Sequence, residues 1–582
     1  SPNGNDWSVN NFSVAANLAN DSMPDTPSKN FCTLNPLNAS SSINFGNLDG
    51  NLVFDQTSND QAMTGTFFVT SGKWYWEIYK NASQNPEIGI CPQFTFSAQS
   101  NGSGLTTGVA FITNGGNLRN GNDGTASITG GSAQTGAGWI RIACDMDNKK
   151  IWFSDTSGNY FNSGNPATGA NAAFDFSSVE VANGWTPYIF MGTGSGHNCY
   201  VNFGQLELNS FSSNIPTGFK ALNANNLVPH SPSIVRPQKH FDILLYTGDG
   251  SSSKTVSGLE FKPDLVWMKG RTSMNHALVD SVRGRASVLF PNSTAVEQIS
   301  SSSQDLVEFN DHGFVVGTPE RASSSNDNGT NIVAWCWKAG GAAVTNTDGT
   351  ITSQVSANTE AGFSIMTWQG TGYVSGKTIG HGLGKAPKVV WAKRRNISTD
   401  NWAIYFNDGT TKISFFFNSS AAINPAQASY WPANDPTSSV FYIGTDSAVN
   451  GSASMEYVGY AWAEIPGYSK FGTYKGNGNS DGTYVHLGFR PAWVLLKNYG
   501  AGGYNWVIQD GVRDTSNPTA VKLYPDTNAA EDTSGDKIDI LSDGFKLRTS
   551  DAGTNADGSD YIYMAFAEQP GTTPFETFPN AR

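Results

Sequence analysis

The amino-acid sequence predicts an all-β protein made of tandem β-sandwich domains, and three observations lead to this fold class. Glycine accounts for 63 of the 582 residues and aromatic residues for 12%, while charged residues make up only 14%, against about 25% in typical soluble domains. Short runs of Val, Ile, Tyr, Phe and Trp alternate with Gly, Asn, Ser and Thr, a pattern typical of strands joined by turns. A chain of this length accommodates about four domains.

The first part of the chain contains an ordered series of strand motifs. Residues 1–45 are predicted to form an irregular lead-in, and residues 46–208 form a β-rich block. Five motifs follow one another in this block: GKWYWEI at 72–78, EIGIC at 87–91, GWIRIACD at 138–145, WTPYIFMG at 185–192 and YVNFG at 200–204. In type and order these motifs resemble the SPRY domain, a bent β-sandwich. The resemblance implies a binding surface formed by loops at one edge and no particular ligand, because such loops vary freely.

Three later stretches share one skeleton: FKPDLVWMK at 261–269, GKAPKVVWAK at 384–393 and GFRPAWVLLK at 488–497. In each, a proline precedes a lysine by six positions. The three pairs are Pro263 and Lys269, Pro387 and Lys393, and Pro491 and Lys497. The copies are roughly 105–125 residues apart, a spacing too long for the unit of a solenoid. Each copy is therefore predicted to be a small β domain of its own.

The predicted layout follows from these copies. The three repeat domains, named here the first, second and third segments, span residues 239–341, 362–467 and 468–571. Residues 209–238 are predicted to be a clasp and linker, 342–361 a second linker, and 572–582 a C-terminal tail. The prolines are expected at the starts of equivalent strands, since proline cannot donate to a strand ladder. The lysines are expected at the strand ends, with their ammonium groups reaching water from a sheet edge.

Two segments carry a further pair of charged residues. Asp280 and Arg283 in the first segment match Asp510 and Arg513 in the third, whereas the second has FNDG at 406–409. A carboxylate and a guanidinium three positions apart after a strand can pair across the turn. We interpret them as structural repeat positions, the alternative being contacts with the hydroxyl groups of a sugar.

The arrangement of these domains resembles tail-fibre and other virion proteins of marine phages, in which an uncharacterised domain of this kind recurs beside lectin-like sandwiches. The resemblance covers nearly the whole chain. It implies a bacteriophage virion protein that mediates host attachment, a homotrimer that contacts other virion proteins and a host-surface glycan or protein. The chain begins at Ser1 without a methionine, and we expect it to be the C-terminal part of a longer protein.

Charge and cysteine content restrict the possible partners. The net charge of −13 disfavours nucleic acid, which requires clusters of Lys and Arg, and anionic lipid. No apolar run reaches the roughly 18–20 residues of a membrane-spanning helix. The five cysteines have no metal-site spacing and are predicted to be buried, reduced thiols. Reduced thiols suit a protein made in the host cytoplasm and released in the virion.

No motif indicates catalysis, and the sequence predicts neither an enzyme nor a cofactor or metal site. Seven Trp residues could stack on sugars, although most should fill cores; they are Trp335, Trp337, Trp368, Trp391, Trp462, Trp493 and Trp506. The turns Asn328-Gly329, Asn450-Gly451 and Asp557-Gly558 are predicted to be equivalent hairpin turns rather than calcium loops. The alternatives to an attachment fibre are a capsid decoration or head-fibre protein and, as an enzyme, a polysaccharide depolymerase.

Overall fold

The protein is all-β, as predicted. The computed structural model describes residues 30–568 except 40–48, 57–60, 93–107, 121–124, 129, 178–183, 193–196, 206–210, 224–225, 227–233, 321–324, 398, 410, 424–427 and 536. Regular structure in the described residues consists of β-strands and four short 3₁₀ turns, at Asp49–Asn51, Phe161–Ser163, Pro166–Thr168 and Pro237–Lys239. The chain divides into two compact units, residues 1–229 and 230–582.

The first unit is a β-sandwich. Its strands are β1 (Leu34–Ala39), β2 (Val53–Gln56), β3 (Gln61–Gly65), β4 (Lys73–Lys80), β5 (Glu87–Pro92), β6 (Val109–Ile112), β7 (Asn117–Asn120), β8 (Thr125–Ser127), β9 (Gly138–Asp145), β10 (Lys150–Phe153), β11 (Phe174–Asp175), β12 (Trp185–Met191), β13 (His197–Asn202) and β14 (Lys220–Ala221). One sheet has the order β1-β3-β12-β5-β6-β7-β8 and the other β11-β10-β9-β4-β13-β2, with β14 beside β4. Apolar side chains of both sheets, including Trp76 and Phe111, form one buried core.

The five predicted motifs fall on β4, β5, β9, β12 and β13. Two boundaries of the predicted layout need correction. Strand β1 lies inside the predicted lead-in 1–45 and pairs with β3, because Leu34 is buried in the core. Strand β14 lies inside the predicted linker 209–238 and runs parallel to β4, so this part of the chain completes a sheet of the first unit.

The second unit contains the remaining strands. They are β15 (Phe241–Thr247), β16 (Lys254–Ser257), β17 (Leu265–Gly270), β18 (Ala277–Asp280), β19 (Ser287–Val288), β20 (Gln298–Ile299), β21 (Leu306–Asn310), β22 (Gly313–Val316), β23 (Asn331–Trp337), β24 (Val344–Asn346), β25 (Ser353–Asn358), β26 (Phe363–Gln369), β27 (Lys377–Gly380), β28 (Val389–Arg394), β29 (Ala403–Asn407), β30 (Lys412–Phe416), β31 (Val440–Ile443), β32 (Glu456–Trp462), β33 (Ser469–Lys475), β34 (Tyr484–His486), β35 (Pro491–Asn498), β36 (Val507–Asp510), β37 (Ile538–Leu541), β38 (Gly544–Leu547) and β39 (Asp560–Ala567).

The three segments use one antiparallel strand order. The first has β15-β23-β17-β18, the second β26-β32-β28-β29 within a longer sheet, and the third β33-β39-β35-β36. We call these the inner sheets. Each segment adds a smaller outer sheet: β16-β22-β21, β27-β31 and β34-β38-β37, respectively. A separate apolar core in each segment contains side chains from its inner and its outer sheet.

One further core is shared by all three segments. It contains Trp337, Trp462 and Phe566, which occupy the same register position on the central strands β23, β32 and β39. The ring centroids of Trp337 and Trp462 are 6.3 Å apart, and those of Trp337 and Phe566 are 5.8 Å apart. Each segment thus has its own core, and this shared core joins the three into one compact unit. Their inner sheets are apolar on both faces, so the second face must be buried against the other segments.

The predicted linker 342–361 also has regular structure. It contains β24 and β25, which extend the second inner sheet through pairing of β25 with β26. Alternation places Val355 in the core of the second segment, and this burial explains why the stretch is a strand. The five cysteines are free and buried, which confirms the prediction for them.

Candidate functional site

The three lysines of the shared skeleton lie at one register position near the ends of β17, β28 and β35. Each is opposite a branched aliphatic residue of the adjacent central strand. Pro263 and Pro387 precede their strands by two residues, and Pro491 is the first residue of its strand. The expectation of solvent-reaching lysines is wrong, since all three residues are 0% exposed. Their strands lie inside the inner sheets with a neighbour on each side, so no sheet edge is available.

The buried ammonium groups donate to backbone carbonyls of nearby turns. Lys269 Nζ donates to the carbonyl of Thr272 at 2.8 Å. Lys393 Nζ donates to that of Asp400 at 2.7 Å and to that of Thr294 in the first segment at 3.1 Å. Lys497 Nζ donates to the Tyr504 carbonyl. Burial lowers the pKa of each lysine to about 8, and the backbone carbonyls supply the hydrogen-bond acceptors that water would otherwise provide.

Asp280 and Arg283 form a buried pair that connects the first segment to the second. Arg283 Nε donates to Asp280 Oδ2 at 2.5 Å, and both side chains are 0% exposed. The hydroxyl of Tyr460, in the second segment, donates to the same Asp280 oxygen at 2.7 Å. Glu297 then bridges two guanidinium groups, Arg283 at 2.7 Å and Arg395 of the second segment at 2.7 Å. The network is a charged contact between segments.

The third segment contacts the first in the same way. Arg513 Nε donates to Asp510 Oδ2 at 2.6 Å, with both side chains 0% exposed. Glu531 accepts from Arg513 Nη1 at 2.9 Å and pairs with Arg271 of the first segment at 2.5 Å. Trp335 Nε1 donates to Asp510 Oδ2 at 3.3 Å from the register position that Tyr460 holds in the second segment.

The contact between the second and third segments replaces these charges with apolar groups. Phe406 occupies the register position of Asp280, and Met564 that of Tyr460. Tyr499 follows Lys497 by two positions, as Arg395 follows Lys393. All three side chains belong to, or pack against, the shared core. The residues on both sides of this contact are uncharged at the positions compared. Neither side therefore presents a buried charge there that would need a partner on the other.

A second type of hydrogen bond links each segment to another at the start of β18, β29 and β36. Trp402 Nε1 donates to the Phe290 carbonyl at 3.0 Å, and Trp506 Nε1 donates to the Phe416 carbonyl at 3.3 Å. His276 holds the equivalent place, with Nε2 3.1 Å from the Tyr524 carbonyl. The three contacts run from the second segment to the first, the third to the second, and the first to the third. They close a ring.

Hydrogen bonding assigns the tautomer of His276. Trp267 Nε1 donates to His276 Nδ1 at 2.9 Å, so Nε2 carries the proton that reaches the Tyr524 carbonyl. Burial, with the nearby Lys269, lowers the pKa of His276 to about 3. The imidazole is therefore neutral at physiological pH.

The seven tryptophans considered for sugar stacking are all buried, at 3% exposure or less. The structure places them in cores, and the stacking interpretation is wrong for them. Across the described part of the chain, no group of three or more His, Cys, Asp and Glu side chains could hold a metal ion. No described helix is long and apolar enough to cross a membrane.

Several residues of the charged contacts were missed in the sequence. Glu297, Glu531, Arg271 and Arg395 complete the networks, and Tyr460 reaches across from the second segment. One signal was present: an arginine follows the skeleton lysine by two positions in the first and second segments only. These are the segments whose central strands face the two Asp–Arg pairs.

A buried carboxylate of the first unit, that of Glu77, also joins two parts of the chain. Glu77 on β4 is 0% exposed and accepts from the Tyr75 hydroxyl at 2.7 Å. It also accepts from the backbone N–H and the hydroxyl of Ser212, at 2.7 and 2.8 Å. Through these bonds the carboxylate connects the stretch of chain around Ser212, which follows β13, to β4. Residues 93–107 and 193–196, which connect strands of this sandwich, lie outside the described residues.

A family model matches residues 236–570, the region that contains the three inner sheets. Its description is a domain of unknown function, DUF7483. The chain belongs to this family. The match spans the closed ring of three segments as one region, in agreement with their shared core.

Solved structures similar to the chain include three SPRY domains. The SPRY domain of human HERC1 is 16% identical, with 31% of this chain and 99% of that chain covered and a TM-score of 0.23. A human SPRY domain is 15% identical, with 26% and 88% covered and a TM-score of 0.18. The TRIM65 PSpry domain is 11% identical, with 30% and 93% covered and a TM-score of 0.20. No curated protein matches the chain.

Proposed function

We propose that this chain is a structural protein of a bacteriophage virion, a tail fibre or receptor-binding fibre that attaches the particle to its host. One observation carries the proposal. The charged residues that recur among the segments are buried in contacts between them, as in the pairs Asp280–Arg283 and Asp510–Arg513. Charges that join the segments to one another are expected in a protein whose role is to present its surface to a partner. A repeated active site would instead keep its charges accessible to substrate.

Attachment in this proposal uses weak sites in several copies. A homotrimer bound to other virion proteins would present three copies of each loop surface. Multivalent contact then raises the overall affinity without any new contact type. A surface low in charge and rich in Asn, Ser, Thr and aromatic residues suits hydrated contacts with a host-surface glycan or protein.

The test begins with the location of the chain. Mass spectrometry of purified particles of the encoding phage should detect the chain, and antibody labelling in electron micrographs should place it on the tail. Labelling of the capsid surface would instead identify a decoration or head-fibre protein. Absence from purified particles would refute the virion proposal.

A second experiment separates attachment from catalysis. The purified chain, added before infection, should compete with particles for host cells and lower the adsorption rate. Host envelope polysaccharide incubated with the chain should release no reducing sugar. Release of reducing sugar in proportion to time and chain concentration would identify a depolymerase.

A further inference from the structure

The loop after the first strand of each segment is built on one hydrogen-bonded frame. Each loop begins with Gly-x-Gly, at residues 248–250, 370–372 and 476–478. The first glycine donates to a carbonyl just before the central strand, that of Thr330, Met455 or Ser559. The third residue of each motif donates to the backbone carbonyl of Asn326, Gly451 or Asn555. We call these loops the first, second and third tips.

A buried asparagine secures every tip. The amide of the middle residue of Gly-x-Gly donates to the side-chain oxygen of Asn326 at 3.0 Å, Asn450 at 2.9 Å and Asn555 at 3.1 Å. All three asparagines are 0% exposed. The predicted equivalence of Asn450 with Asn328 is therefore wrong, since Asn450 matches Asn326. The same frame supports three different sets of loop side chains.

Side chains beyond the frame differ at the second tip. The residues after Gly-x-Gly are SSS in the first tip, YVS in the second and NSD in the third. Tyr373 and Val374 of the second tip are 48% and 46% exposed. Since the same frame forms without an aromatic residue in the other two tips, it does not require one here. An exposed aromatic and aliphatic pair on a rigid frame indicates recognition.

The backbone of Tyr373 supports this interpretation. Its φ is +63°, in the left-handed region that bulky residues seldom adopt. The residues at the corresponding positions of the other two tips, Ser251 and Asn479, do not have a positive φ, so this strain belongs to the second tip among the three. Stability alone does not explain a half-exposed tyrosine at such a position.

The tyrosine lies beside a turn that carries hydroxyl groups. Its hydroxyl lies 4.0 Å from the sulfur of Met455. Met455 follows a turn in which the hydroxyls of Ser452 and Ser454 are 3.0 Å apart. Asn396 Nδ2 donates to the Ser454 carbonyl at 2.7 Å, and the next residue, Ile397, is 39% exposed. The second tip thus combines one aromatic ring with hydroxyl and amide groups.

We propose that the second tip is a carbohydrate-binding site in which Tyr373 stacks on a pyranose ring. The inference rests on the proposed attachment function and names the ligand class of one site. A ring face with hydroxyl and amide neighbours fits a sugar, which offers C–H groups on one face and hydroxyls at its rim. A protein partner needs about 20–30 residues on each side, many more than this tip presents. Its few exposed apolar groups match a ligand of one or two sugar units.

The test uses the full chain, fluorescently labelled, on a printed array of monosaccharides and oligosaccharides. The variant Tyr373→Asn removes the ring and introduces a residue that tolerates the positive φ of this position. The control is Ser252→Ala, an exposed residue of the first tip. We expect the wild-type chain to bind a subset of the sugars, Tyr373→Asn to lose at least tenfold in signal, and Ser252→Ala to stay within twofold. Hydrogen exchange of β26 and β32 should remain unchanged in both variants.

Three results would overturn the proposal. Binding that Tyr373→Asn leaves within twofold would assign the sugar contact to another surface and leave the attachment function intact. No binding to any sugar would also overturn it, while detection of the chain in particles would still support the virion role. Host-cell binding that requires Tyr373 but survives periodate oxidation of surface glycans would assign the tip to a protein partner.

Discussion

The charged contact between the first and second segments can be tested by replacing Arg283 with methionine. Its guanidinium makes five hydrogen bonds, to Asp280, Glu297, Tyr460 and two backbone carbonyls. Methionine keeps the apolar stem but leaves two carboxylates buried with fewer partners. Removing one side of a buried ion pair costs about 3–5 kcal/mol. Asp280 retains the Tyr460 hydroxyl, so we expect the lower end of this range.

Native-state hydrogen exchange of the full chain, followed by mass spectrometry, measures this loss locally. A change of about 3 kcal/mol corresponds to a more than 100-fold loss of protection, expected in peptides that cover β18 and β32. The control is Arg236→Met, which removes a 2.7 Å pair with Glu260 whose side chains are 48% and 35% exposed. This pair should contribute about 0–1 kcal/mol. A loss below tenfold in Arg283→Met would refute the role assigned to the buried network.

Three further predictions concern the ring and the thiols. Glu531→Gln should lower the stability of the first and third segments by about 1–3 kcal/mol in urea unfolding, because a neutral amide bridges Arg513 and Arg271 less strongly; an unchanged midpoint would contradict this. The pKa of His276 in the folded chain, about 3, lies below its value in the unfolded chain, so the unfolded chain binds more protons at acidic pH. The free energy of unfolding should therefore fall as the pH drops from about 6.5 towards 3, by up to about 1.4 kcal/mol per pH unit. His276→Trp should flatten that slope in urea titrations at several pH values. Burial raises the pKa of Cys32 to about 11, and we expect native thiols to resist a thiol reagent until urea is added.

Much of the fold follows from local patterns in the chain. Alternating apolar residues and glycine turns predict strands, and the motifs at 72–78 and 138–145 fall on β4 and β9. The shared spacing of Pro and Lys predicts equivalent positions, which Lys269, Lys393 and Lys497 occupy in the structure. Strand period and turn chemistry act over a few residues, and a sequence records them directly.

Contacts over long sequence distances could not be predicted in this way. The closure of three segments around one core depends on the second face of each inner sheet. A residue such as Trp337 is equally apolar whether it fills its own domain or meets Trp462 and Phe566. Likewise, the skeleton lysines look like edge residues until neighbouring strands and turns cover them, and Glu297 shows its role only beside Arg395. Burial and ion pairing depend on which surfaces meet: the glutamates that pair with Arg271 and Arg395 lie 260 and 98 residues away in the chain.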